Sequence, residues 1–177
     1  YDIIARTDAD TILPPDWIEK IKKHFQDPNL VALSGPTTFY DLPSKLSKRA
    51  AKNVHKTYLL LMKQILKHDC LFGPNMAIRK KAWEKIKDLV CLDDKKVHED
   101  IDLSIHVAPL GKILFDRTLE VSSSFRRFKN LEKIDSYVEY PYRVVVSVQK
   151  HKPFSIKQNS KNLMKKFASK ILIKDLQ

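Results

Sequence analysis

The sequence predicts an α/β fold, and three observations carry that prediction. Short β-branched or apolar runs, "DIIART", "LVALSG", "NMAIR", "KILFD" and "LEVSS", recur along the chain. Between them lie longer stretches whose apolar residues return every three or four positions. A hydrophobic content of 43% over 177 residues suits one globular domain with its own core. Strands that alternate with helices make a sheet covered by helices.

Taken in order, residues 2–7 read as a strand. Pro14-Pro15 then prepares a helix, because proline is tolerated in a first turn, and Asp16 lies near its positive end. Trp17, Ile18, Ile21 and Phe25 keep the helical period to about residues 24–26. Residues 30–35 read as a second strand, ended by Gly35-Pro36, and 36–44 as a loop. From Pro43 to about Lys67, Leu46, Ala50, Val54, Tyr58, Leu61 and Ile65 form one face with lysines opposite. A loop at 68–75 leads to a strand at 75–79 and a helix around Lys80–Leu89. Residues 98–108 read as another helix, with Gly111 as its stop signal, before two short strands.

Charge and composition narrow the function. A formal charge of +12 predicts anionic company: phosphates, nucleic acid or an acidic membrane face. Three glycines, Gly35, Gly73 and Gly111, exclude a P-loop and a GxGxxG turn in these residues. Cys70 and Cys91 have neither framework nor metal spacing and read as free thiols in a reducing compartment. The longest apolar runs, such as "YLLLM", are too short to span a bilayer, and no leader pattern is visible. The opening strand reads as internal to a sheet, so upstream sequence is expected before Tyr1.

From Lys129 the chain carries eleven Lys/Arg against four Asp/Glu. Leu163, Met164, Phe167, Ala168, Ile171 and Leu172 make an apolar face flanked by lysines. Residues 161–174 therefore suit either an anionic membrane surface or packing on the domain itself.

Three polar clusters could carry chemistry. Asp8-Ala9-Asp10 stands where the first strand runs out. Strand alternation would point both carboxylates to one side, where two hard oxygen ligands suit a divalent cation shared with phosphate oxygens. The same pair could equally serve as turn carboxylates. Glu99 and Asp100 open a helix, where the dipole favours acids, and Asp102 adds a third among Ile101, Leu103 and Ile105. A carboxylate there could be partly desolvated and tuned as a general base. Arg126 and Arg127, in "SSFRRF", offer guanidinium forks that match a pyrophosphate, or simply a solvated basic turn.

Read together, these segments resemble one family. "DADTILPPDWIEKI", "GPNMAIRKKAWEKI" and "HEDIDLSIHVAPLGKILFD" are similar, in that order, to the DxD, acceptor-side and E-D-x-D-L segments of family 2 glycosyltransferases. The resemblance covers about residues 1–128. It implies a GT-A-like (Rossmann-like) mixed sheet flanked by helices, here without its N-terminal nucleotide-binding strands, followed by a basic helical extension over 129–177.

It also implies roles. Asp10 would ligand Mg2+ or Mn2+, with Asp8 beside it on the metal or the donor. Asp100 would be the catalytic base of an inverting transfer, and Glu99 would orient the acceptor. Arg126 or Arg127 would close over the diphosphate of a nucleotide-sugar donor. Gly73 would let the backbone approach the sugar, and Asn75 would offer it an amide. The acceptor would be a hydroxyl of a glycan, a lipid-linked sugar or an envelope polymer, with selectivity in the loops 36–44 and 68–75. The site of action would be the cytoplasm or the inner membrane face.

Departures from the family pattern are specific. His98 stands where Thr is frequent, and His106 where Arg is common. Ser124 and Phe128 replace the Gln and Trp of the processive members' Q-x-x-R-W, which favours single-sugar transfer.

Two rival classes read differently. A haloacid-dehalogenase-like phosphohydrolase also uses Asp-x-Asp after a strand, but its pattern wants Thr or Val where this chain has Ile12. A non-catalytic basic module could bind membrane or nucleic acid. The aromatics do not interleave with the lysines as a stacking platform requires, so no nucleic acid is expected.

Overall fold

The structure, a computed structural model, describes residues 1–91, 97–126, 143, 146 and 147, without the side chains of 48, 50–58 and 61. Arg127, the extension over 129–177 and the amphipathic run 161–174 lie outside the described residues.

Among the described residues, six strands and four helices follow in chain order. These are β1 (Ile3–Thr7), α1 (Trp17–His24), β2 (Leu30–Ser34), β3 (Thr37–Phe39) and α2 (Ser44–Leu66). Then come β4 (Asn75–Arg79), α3 (Lys80–Ile86), α4 (Glu99–Val107), β5 (Lys112–Phe115) and β6 (Val121–Ser123). The main sheet has the order β1-β4-β2-β5, with β4 antiparallel to both neighbours and β2 parallel to β5. It is the mixed sheet flanked by helices expected of a GT-A-like fold. Among the described residues no helix is long and apolar enough to cross a membrane.

Burial explains the order. All five residues of β2 are buried, as befits a strand covered on both faces. One face packs Ala32, Met76, Ile78 and Ile113 against Ala82 and Ile86 of α3 and Val107 of α4. The other packs Leu33, Ala77, Leu119 and Val121 against Trp17 and Ile21 of α1 and Phe25 just after it. So the period read in "WIEKIKKHF" is the buried stripe of α1, except that Ile18 faces out. Of the stripe expected in α2, Leu46 and Ile65 have described side chains, and Ile65 is half-buried. Leu46 is exposed, while Ser47, Met62 and Leu66 are buried.

Two structures were not foreseen. Residues 37–39 form β3, which pairs in parallel with β6 as a separate two-stranded sheet. The helix over 99–107 ends in a 3-10 turn at Ala108–Leu110, ahead of Gly111. A Cβ on Gly111 would lie 2.7 Å from the Asn29 carbonyl oxygen, so this glycine serves a close approach of chain segments.

The segment "GPNMAIR" is the spine of the fold. Asn75 is fully buried. Its Nδ2 donates to the carbonyls of Pro36 and Leu119, and its Oδ1 accepts from Trp17 Nε1 at 2.9 Å. Arg79 donates to the Phe25 and Asp27 carbonyls, satisfying acceptors just beyond α1, and to the Leu30 carbonyl at the start of β2. We expect Asn75→Ala to cost about 3 kcal/mol of unfolding free energy, because it strands three buried partners. Urea denaturation of the variant and the wild type checks this.

Candidate functional site

The site forms where the C-terminal end of β1 meets the start of α4. β1 stops at Thr7, earlier than a strand carrying Asp8 and Asp10 would require. Asp8 to Thr11 is instead a turn closed by Thr11 N–H donating to the Asp8 carbonyl at 3.1 Å. Strand alternation therefore does not set the direction of these two carboxylates. Both remain partly exposed at the end of the sheet.

Asp100 is the most constrained acid. It is 4% exposed and lies in the first turn of α4. Gly73 N–H donates to its Oδ2 at 2.7 Å. A Cβ on Gly73 would come within 2.8 Å of Asp100 Oδ1, so only glycine admits the carboxylate here. Thr7 Oγ1 donates to the Pro74 carbonyl at 3.0 Å, which ties the same loop to the end of β1. Oδ1 of Asp100 accepts no hydrogen bond among the described residues.

Arg6 organises the charges and was not singled out in the sequence as a site residue. From β1 its Nη2 donates to Glu99 Oε1, and its Nη1 stands 3.9 Å from Asp100 Oδ1. Burial works against this guanidinium, but the Glu99 hydrogen bond and the charges of Glu99, Asp100 and Asp8 hold it protonated above its usual range. The Asp100 carboxyl is pushed up to about 7, chiefly by burial. The Gly73 N–H pulls it down, Glu99 pushes it up, Arg6 pulls down and Asp8 pushes up. A cue for Arg6 existed: a lone cation inside an apolar strand needs an anionic partner.

Arg126 follows β6 and pairs with Asp10, its Nη2 donating to Oδ2 at 3.0 Å. The structure thus brings Asp8, Asp10, Glu99, Asp100, Gly73 and Arg126 to one end of the main sheet. Asn75 is close in sequence, but its amide is engaged with Pro36, Leu119 and Trp17 inside the fold, rather than held out for a sugar. Gly73 gives its close approach to Asp100. Asp102 is also buried, accepting from Cys91 N–H at 2.8 Å with His106 Nε2 at 3.8 Å. A surface cavity of about 560 Å3 lined by Lys20, Lys23, His24, Asp27, Asp116 and Thr118 contains none of the acid and arginine cluster.

Among the described residues no three His, Cys, Asp or Glu side chains gather as a metal cage. A small hard cation does not need one, because one or two carboxylates plus substrate phosphates suffice. Asp8 and Asp10 are such a pair, and Asp10 already attracts a cationic group in Arg126. Carboxylate oxygens such as these are the ligand type that Mg2+ or Mn2+ takes.

Residues 3–145 match the family model described as glycosyl transferase family group 2. No curated protein matches the chain.

Burial of Asp100 has a consequence for stability. Its folded-state carboxyl titrates above the ordinary value, so the folded chain holds that proton more tightly. The associated stability is full below about pH 4 and is lost as the pH rises through about 7. Asp100→Asn carries no such charge. Its unfolding free energy relative to the wild type should therefore rise between pH 5 and pH 8, as read by urea denaturation at both. A difference that stays flat would contradict the buried carboxyl.

Proposed function

The chain belongs to glycosyl transferase family group 2 and is a glycosyltransferase; from that premise we propose that it is an inverting enzyme with Asp100 as its catalytic base. The observation that carries this reading is the buried Asp100 carboxylate, with one oxygen fixed by Gly73 N–H and the other accepting no hydrogen bond among the described residues.

In this reading Asp100 Oδ1 takes the proton of an acceptor hydroxyl. The freed oxygen forms a bond to the anomeric carbon of the donor sugar, and the bond from that carbon to the diphosphate breaks on the opposite face. The nucleoside diphosphate leaves with the electron pair, and the anomeric configuration inverts. Gly73 N–H and Arg6 steady the base, and Arg6 also holds Glu99 at the acceptor side. Arg126 meets the diphosphate charge as it develops. Asp8 and Asp10 would hold a divalent cation. When bound, it would supply further neutralisation of the diphosphate.

The acceptor class has its own support. Thr38, Phe39, Tyr40, Leu42, Ser44, Ser47 and Ser122 line a cleft of about 220 Å3 beside the Arg126 turn. Its lining is neutral, hydroxyl-rich and aromatic, which suits a glycan or a lipid-linked sugar. The basic pattern over 161–174 supports work beside an anionic membrane face, with an envelope glycan as the product.

Two outcomes follow for transfer from a panel of nucleotide-sugars. The value of kcat/KM should climb with pH to a plateau, with an apparent pKa near 7, because the ionised base reacts. Asp100→Asn should lower the rate by about 10^2- to 10^4-fold while leaving metal-dependent donor binding intact. Near-normal turnover by the variant would remove Asp100 from the base role.

A further inference from the structure

The turn that carries Arg126 is held from below by a residue outside the acid cluster. Asp41, just after β3, accepts from Phe125 N–H through Oδ1 at 2.7 Å and from Ser124 Oγ through Oδ2 at 3.1 Å. Ser124 Oγ in turn accepts from Arg126 N–H at 3.1 Å. Phe125 packs edge-on against Phe39, ring centroids 5.0 Å apart. The β3–β6 pairing continues into this turn through Tyr40 N–H donating to the Ser123 carbonyl at 3.1 Å. One carboxylate thus receives two donors from successive residues, and the next residue is the arginine.

Arg126 needs such support. Its side chain is 79% exposed, and it reaches Asp10 across 116 positions of sequence. A long exposed arginine has many rotamers, so its aim depends on where its backbone is anchored. We propose that Asp41 is the positioning residue of this arginine: it fixes the Ser124–Phe125 turn so that Arg126 is directed at Asp10 and at the donor diphosphate. The inference rests on the reading of Arg126 as the diphosphate arginine. In this role Asp41 acts through the Ser124–Phe125 turn, as a positioning residue for Arg126.

The test uses the full chain and inorganic pyrophosphate with Mg2+, a probe that carries the diphosphate without choosing a nucleobase. Calorimetry gives the affinity. Arg126→Ala should weaken binding by about tenfold, as expected for loss of one charge-assisted contact. Asp41→Ala should weaken it to a similar degree, and the double variant should be no weaker than Arg126→Ala alone. Asp41→Asn should retain most of the affinity, because its carbonyl can accept from Phe125 N–H while its amide donates to Ser124 Oγ.

Wild-type affinity in Asp41→Ala, or losses that multiply in the double variant, would overturn the positioning role and leave the diphosphate reading intact. If Asp41→Ala does not fold, Ser124→Ala removes the hydroxyl that links Asp41 to Arg126 N–H. It should then bind more weakly, and unchanged binding overturns the proposal. No pyrophosphate binding by the wild type, or none lost in Arg126→Ala, would overturn the diphosphate reading and the proposal with it.

Discussion

The site depends on one contact, the hydrogen bond from Gly73 N–H to a carboxylate that the fold removes from water. Burying an ionised carboxylate is expensive unless donors and charges compensate it. At Asp100 the compensation is partial: one backbone N–H at 2.7 Å and one guanidinium at 3.9 Å, opposed by the charges of Glu99 and Asp8. The group is poised between its two protonation states near neutral pH. Stronger pairing would make it a permanent anion, and no pairing would keep it protonated. A base that must take a proton and later lose it needs the intermediate condition.

The scaffold exists largely to maintain that contact. β4 lies between β1 and β2 and begins immediately after the Gly73-Pro74 loop. Asn75 joins this strand to the Pro36 and Leu119 carbonyls and to the indole of α1. Ser34 Oγ donates to the Asn75 carbonyl at 2.7 Å and accepts from Phe72 N–H at 3.0 Å, fixing the loop from the sheet side. On the helix side, Ser104 Oγ donates to the Asp100 carbonyl and accepts from Leu71 N–H. Backbone on both sides of Gly73 is therefore pinned by buried hydroxyls, which leaves little freedom for the N–H that meets Asp100. A polar framework of this kind is stabilising only when its members are satisfied, as these are.

Much of the architecture was legible because it is local. Apolar periods identified α1 and the extent of α2, and β-rich runs identified β1, β2, β4, β5 and β6 close to their observed bounds. β3 was not legible. Three residues inside a presumed loop carry no period, and their partner β6 lies more than 80 positions away. The exposure of Leu46, the first apolar residue of α2, has a similar cause, since which side of a helix is buried depends on where the sheet lies. At the site, the acids were visible as a composition anomaly and the arginines as a basic step. Their geometry was not visible. The Asp8–Thr11 turn replaces the expected strand alternation, Arg6 was passed over, and Asn75 is spent on the fold. The partners of Arg6 and Asn75 are distant in sequence and no local pattern names them, whereas the turn is closed locally by Thr11 N–H.

The account can be tested on the single atom group it turns on. Carbon-detected NMR of the side-chain carboxyl carbon of Asp100 in the folded chain, titrated from pH 4 to pH 9, reads that group without substrate, metal or assay. A midpoint near 7 is expected, with the Gly73 amide proton moving in the same transition. A midpoint near 4, with the Gly73 amide unmoved, would contradict a buried and poised carboxylate and the chemistry assigned to it.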